Sequence, residues 1–317
     1  MTKITSLQGI AAGLLACGYF AAPAQAGPNR TFVSGTGTDS GTCTRTAPCR
    51  TFAFALSVTT AGGEIDVLDP AGYGAVTIIH AISIVNDGAG TAGITASSGN
   101  AITINAGTSD SVHLRGLTIE GISGATNGIL FNSGGNLEIE NCVVRGFVSG
   151  AGIFISPSTS SSFSVSNTIA SNNSSNGIVV QPTGSAVVTG VLSKVTANNN
   201  TLGGIDVDGR FTAAASLNVT IVDSVASNNL SLGVDAVSSS GAAATAVMLR
   251  NVVASNDVNG LVAQGNSAIL RVAHSVITGN GVGVFTLLGG VINSYGDNDI
   301  DGNSNNNIGA LTTIPTH

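Results

Sequence analysis

From Gly128 onward the apolar positions fall into a phrase repeated along the chain. Each repeat begins with glycine and an aliphatic residue: Gly128-Ile129, Gly152-Ile153, Gly177-Ile178, Gly204-Ile205, Gly233-Val234, Gly260-Leu261 and Gly283-Val284, spaced 24, 25, 27, 29, 27 and 23 residues apart. Two residues beyond the aliphatic stands Phe131, Ile155, Val180, Val207, Ala236, Ala263 or Thr286. Side chains alternate across a strand, so these two columns share the inner face and the residue between them points outward. A second alternation follows and ends on Asn or Asp, as in Leu137-Glu138-Ile139-Glu140-Asn141. A third segment closes on asparagine, as in Ala226-Ser227-Asn228-Asn229. Repetition at a period of roughly 20–50 residues predicts a solenoid.

The register can be checked from charge. A shift of 25 residues lays Val112 to Arg115 over Leu137 to Glu140, which sets His113 beside Glu138, Arg115 beside Glu140 and Glu120 beside Arg145. Three opposite-charge matches at one offset are what adjacent in-register strands would show. They read as solvated ion pairs rather than as acid–base chemistry. Asn141, Asn167, Asp223, Asn251 and His274 recur after one strand, where a turn calls for left-handed backbone angles. Cys142 occupies a place filled elsewhere by Thr168, Ser224 and Val252, which suits a small buried residue better than a nucleophile.

The N-terminal part is organised differently. Lys3, an apolar run from Ile10 to Phe20, and Ala24-Gln25-Ala26 before Gly27 read as an export signal cleaved after Ala26. A lipid-modified Cys17 is the less favoured alternative. Cys43 and Cys49 then bracket five residues, and in an exported chain this predicts a local disulfide. Pro48 is placed at the first turn of a helix carrying Phe52, Ala55, Leu56 and Thr59, ended by Gly62-Gly63. The expected division is a signal at 1–26, a cap at 27–63 that shields the first coil, and a solenoid over 64–317.

Composition narrows the function classes. The chain has 317 residues, 9% charged, with a net charge of −7 and no Trp. Without basic clusters it has no footprint for nucleic acid. No segment after the signal is long and apolar enough to predict a membrane span. Oligomeric state stays open.

The Gly-Ile-x-Val openings, the asparagine turns and the segment Pro48 to Leu68 resemble the right-handed parallel β-helix proteins of the pectin lyase-like superfamily. The resemblance implies an all-β, single-stranded right-handed solenoid of about ten coils with an N-terminal cap helix. It also implies extracellular polysaccharide chemistry. Yet the polygalacturonase strings Asn-Thr-Asp, Asp-Asp, Gly-His-Gly and Arg-Ile-Lys are absent, as is the Trp-Ile-Asp-His of one pectate lyase group.

Two carboxylate groups remain as candidates. Outward columns should stack Val179, Asp206, Asp235 and Val262, beside Gln181, Asp208, Val237 and Gln264. Asp206, Asp208 and Asp235 would then converge near Arg210. Such a patch is a solvated acidic face, a sugar or Ca²⁺ site, or an acid–base centre like the Asp pair, Gln and Arg of the pectin methylesterases it resembles. Asp297, Asp299 and Asp301 before Gly302 match the start of a Ca²⁺ loop, although Ile308 stands where the last ligand would be Glu. The preferred reading is a non-catalytic protein that presents a face to extracellular or envelope polysaccharide without a required cofactor. The alternative is a lyase, esterase or hydrolase on acidic sugars, which would need Ca²⁺ to bridge like charges.

Overall fold

The computed structural model describes residues 27–214 and 216–315, so the expected export signal lies outside the described residues. Strands stack in parallel into three sheets, the walls of a right-handed solenoid. The first sheet has 12 strands, from Arg30–Val33 to Leu311–Thr313. The second has 10, from Ala71–Gly72 to Asp299–Ile300, and the third has 10, from Val76–Ile78 to Asn305–Ile308. One coil runs through Asn136–Glu140, Val143–Arg145 and Ile153–Ile155 before Ser161–Ser166 resumes the first sheet.

The two predicted inner columns are the wall of the core on the third sheet. Ile129 and Phe131, Ile153 and Ile155, and each pair through Leu261 and Ala263 are buried, and only Thr286 in the last pair is partly open. Steric crowding explains the glycine that opens each repeat. A Cβ on Gly204 would lie 2.7 Å from the carbonyl oxygen of Gly233, and one on Gly152 would lie 2.8 Å from that of Gly177. Backbone meets backbone at this edge, and only glycine fits.

Asparagine fixes two corners for two different reasons. Between the first and second sheets, Asn141, Asn167, Asp223, Asn251 and His274 take φ of 47–54°, and Lys194 joins them at 54° although its type gave no sign of it. Between the second and third sheets, Asn172, Asn199, Asn228 and Asn256 turn the chain with φ of 56–58°. The next residue in each coil points inward and builds a ladder. The Nδ2 of Asn173 donates to Oδ1 of Asn200 (3.0 Å), Asn200 to Asn229 (3.0 Å), Asn229 to Asp257 (3.1 Å) and Asn280 to Asn303 (2.9 Å). Each acceptor also takes the backbone N–H of the preceding rung, for example Asn200 N–H to Asn229 at 3.1 Å. Buried amides are thereby satisfied coil after coil, at about 1 kcal/mol net for each bond.

The N-terminal end departs from expectation in detail. The helix is Phe52–Val58, capped by Thr51, whose side chain accepts the N–H of Phe54. Pro48 lies before it, because Asp39 Oδ1 takes the N–H groups of Arg50 and Thr51 and sets the start. The helix also ends before Gly62-Gly63, with the N–H of Thr59 bonded to Ala55. Phe52, Ala55 and Leu56 cover the core, and Cys43 and Cys49 are bonded in the preceding loop. Arg30–Val33 pairs with Gly63–Val67 in the first sheet, so a boundary at residue 63 would cut through one sheet.

On the outer walls the predicted register holds, with Glu138 opposite His113 and Glu140 opposite Arg115. Arg115 lies 3.7 Å from Glu140 and Arg145 lies 3.5 Å from Glu120. His113 differs, since its Nε2 approaches Glu140 diagonally at 3.9 Å rather than Glu138.

Candidate functional site

The third sheet carries the first candidate group on its outer face. Leu130, Phe154, Val179, Asp206, Asp235, Val262 and Phe285 are partners in one continuous column. Two carboxylates thus stand side by side, one strand spacing of ~4.8 Å apart, inside an otherwise apolar row. Val179 and Val262 flank them and are themselves buried. That setting governs their electrostatics. Burial, then the charge of Asp208, raises the Asp206 carboxyl to about 7, with Arg210 pulling the other way. Burial and the charges of Asp206 and Asp208 push Asp235 well above the usual carboxylate range. Asp235 is only 6% exposed. The Oδ1 atoms of Asp206 and Asp235 both lack a hydrogen-bond partner. Such a pair titrates as a unit and retains a proton into the neutral range.

Asp208 behaves differently from its neighbours. It is fully buried, its Oδ1 accepts the backbone N–H (2.9 Å) and Nε (2.9 Å) of Arg210, and its Oδ2 accepts Arg210 Nη2 (2.8 Å) and Gln181 Nε2 (2.9 Å). Four donors fill the acceptor capacity of a carboxylate. Asp208 therefore holds Arg210 in place and is withdrawn from the expected three-carboxylate cluster. Asn176 donates to Asp206 Oδ2 at 3.4 Å from the opposite margin of the sheet.

The second group does not gather. Asp297 is paired with His274, Oδ2 to Nδ1 at 2.7 Å, and also accepts the N–H of His274. Asp299 lies in a second-sheet strand opposite Val276. Asp301 accepts the N–H of Gly302 at 2.8 Å and the amide of Asn306 at 3.3 Å. These side chains close a corner of the last coils. Among the described residues, no three His, Cys, Asp or Glu side chains are grouped as a metal site.

Several participants were not visible in sequence. Gln181 was placed in the right column but without a role, and Asn176 was not singled out. Phe154 and Phe285 lie in the same row as the acid pair, two coils beyond it on either side. The signal was the apolar character of an outward column, which a water-facing position does not require.

The family model described as a right handed beta helix region matches residues 100–308, and the chain belongs to that family. Among solved structures it is similar to the crystal structure of pectate lyase Pel9A, with a TM-score of 0.58 and 14% identity over 84% of this chain and 74% of that one. No curated protein matches the sequence. Together with three parallel sheets, these findings make the chain a right-handed parallel β-helix. At this identity the likeness speaks to fold alone.

Proposed function

We propose that this protein is exported and binds a polysaccharide of the cell envelope or its surroundings along the outer face of the third sheet. The carrying observation is the column Phe154, Val179, Asp206, Asp235, Val262, Phe285. A linear ligand lying along the rod would meet the half-buried rings of Phe154 and Phe285 towards its ends and the half-buried Asp206 carboxyl at the centre. Val179, Asp235 and Val262 are buried between them. Gln181 and Arg210 lie beside that centre. The column spans five strand spacings, roughly 24 Å. Ligand sites commonly pair apolar surface with a few fixed polar groups in this way. No helix among the described residues is long and apolar enough to cross a membrane.

A second reading is favoured by the acid pair itself. Two carboxyls on neighbouring strands, both raised above the usual carboxylate range by burial, are suited to proton transfer on a glycan or its ester. One experiment addresses both. Residues 27–317 would be applied to a polysaccharide array with and without Ca²⁺, with product release scored in the same wells. Binding without turnover supports the first reading and turnover the second. Silence in every well refutes both.

A further inference from the structure

We propose that the groove beside Arg210, between loops of adjacent coils, is a glycan subsite and that it selects uncharged sugars over uronates. The inference rests on the glycan reading above and names the class of ligand. The groove encloses about 290 Å³ and is lined by Gly184, Arg210, Phe211, Thr212, Ser239 and Ser240, among others. These residues lie just beyond the third-sheet strands that carry Asp206, Asp208 and Asp235. A chain lying along the column would pass this groove at the strand ends, beside the acid pair.

Its chemistry is that of a sugar site. Phe211 is 54% exposed, the most open aromatic ring on this side of the coil, and Arg210 packs over it with Cζ 5.7 Å from the ring centre. A side chain so apolar and so open gains from being covered. Thr212 serves the scaffold, because its hydroxyl donates to Gly184 and Ala186 carbonyls. Ser239 and Ser240 line the opposite loop, and Arg210 is the one charged residue of the lining.

Charge decides the class of sugar. Among the described residues from Thr103 to Ile308, Arg210 is the one Lys or Arg on or beside the third sheet; Arg115, Arg145, Lys194, Arg250 and Arg271 belong to the other two sheets and their corner. Its guanidinium is already matched by the buried carboxylate of Asp208 through two side-chain bonds. Two further carboxyls, Asp206 and Asp235, stand behind it. A uronate would therefore find no uncommitted cation, and would add negative charge where repulsion is least screened. Arg210 retains N–H groups beyond the two that Asp208 takes, and hydroxyls can accept these without a charge penalty.

The test is calorimetry on residues 27–317 with equal-length oligosaccharides, neutral (β-glucan, xylan and mannan fragments) and acidic (galacturonate and guluronate), each with and without Ca²⁺. Phe211→Ala deletes the platform, and Ser240→Phe fills the groove; both positions are exposed, and an unchanged melting temperature confirms folding. The expected result is that a neutral oligosaccharide binds, that either substitution weakens it about tenfold or more, and that uronates bind at least about tenfold more weakly. Uronates binding equally well, or only with Ca²⁺, would overturn the selectivity while leaving a glycan-binding protein. Neutral binding that survives both substitutions would overturn the groove and return the site to the sheet face. Failure of every sugar to bind would remove the underlying reading together with this one.

Discussion

The asparagine ladder contains one acid, and its behaviour can be worked out in advance. At Asp257, Oδ1 does what every other rung does, accepting the N–H (2.7 Å) and Nδ2 (3.1 Å) of Asn229. Its Oδ2 has no partner. A Cβ built on Gly233 would lie 2.7 Å from that oxygen, and the same construction on Gly152, Gly177, Gly260 and Gly283 finds an asparagine Nδ2 at 2.8, 2.9, 2.7 and 2.6 Å. Oδ2 therefore occupies the amide nitrogen's place, where a donor to Asn280 Oδ1 is needed. A protonated carboxyl supplies one and an ionised carboxylate does not. Burial raises this carboxyl to about 7, against the hydrogen bonds from Asn229 that oppose the shift. With the unfolded value near 3.8, the folded state holds the extra proton between these two values, so stability falls as pH rises through that window. A carboxyl raised from 3.8 to about 7 corresponds to about 4 kcal/mol at most. Asp257→Asn removes the penalty and restores the missing rung. The variant should match the parent near pH 4 and exceed it by roughly 2–4 kcal/mol near pH 8. Thermal unfolding followed by circular dichroism at both pH values measures the difference. Equal stability at pH 8, or a gain of the same size at both, would refute the assignment of a neutral acid to the ladder.

Other consequences are testable in the same way. Gly204→Ala should cost about 1–3 kcal/mol, read from the melting temperature, because its Cβ would meet the Gly233 carbonyl at 2.7 Å. Asp206→Asn should flatten the pH dependence of stability between about 4 and 7, since across that range the folded carboxyl holds a proton that the unfolded chain has released; denaturant titration at several pH values checks this. Cys142, buried and with its thiol pushed up to about 11, should resist alkylation until the chain is denatured; labelling followed by mass spectrometry decides. Thr51→Ala should lower stability by about 1 kcal/mol through loss of the helix cap.

The fold was legible because its rules act along the chain. Glycine before an aliphatic pair, and asparagine at a turn, each answer a local backbone demand repeated in every coil. The acid pair was legible for the same reason, since register alone sets Asp206 against Asp235. What could not be read depends on side-chain choices between neighbours. Asp208 turns to Arg210 and Gln181 rather than to the pair, and His113 leans towards Glu140. The start of the helix was missed because Asp39, 12 residues away, caps it from outside.

The three corners differ in how much length they tolerate. Between the first and second sheets two residues intervene in each coil from Glu140–Val143 to Ala273–Val276. Between the third and first sheets the link varies from two residues after Ser133 to seven after Asp208. The link between the second and third sheets also varies, from three residues after Ser255 to seven after Arg145. Two seams of the prism thus accept insertion while the first-to-second corner keeps its length, and one of the two lies beside Arg210. Lineages that diversify this scaffold can exchange what it recognises by rewriting loops there, one coil at a time, at little cost to folding.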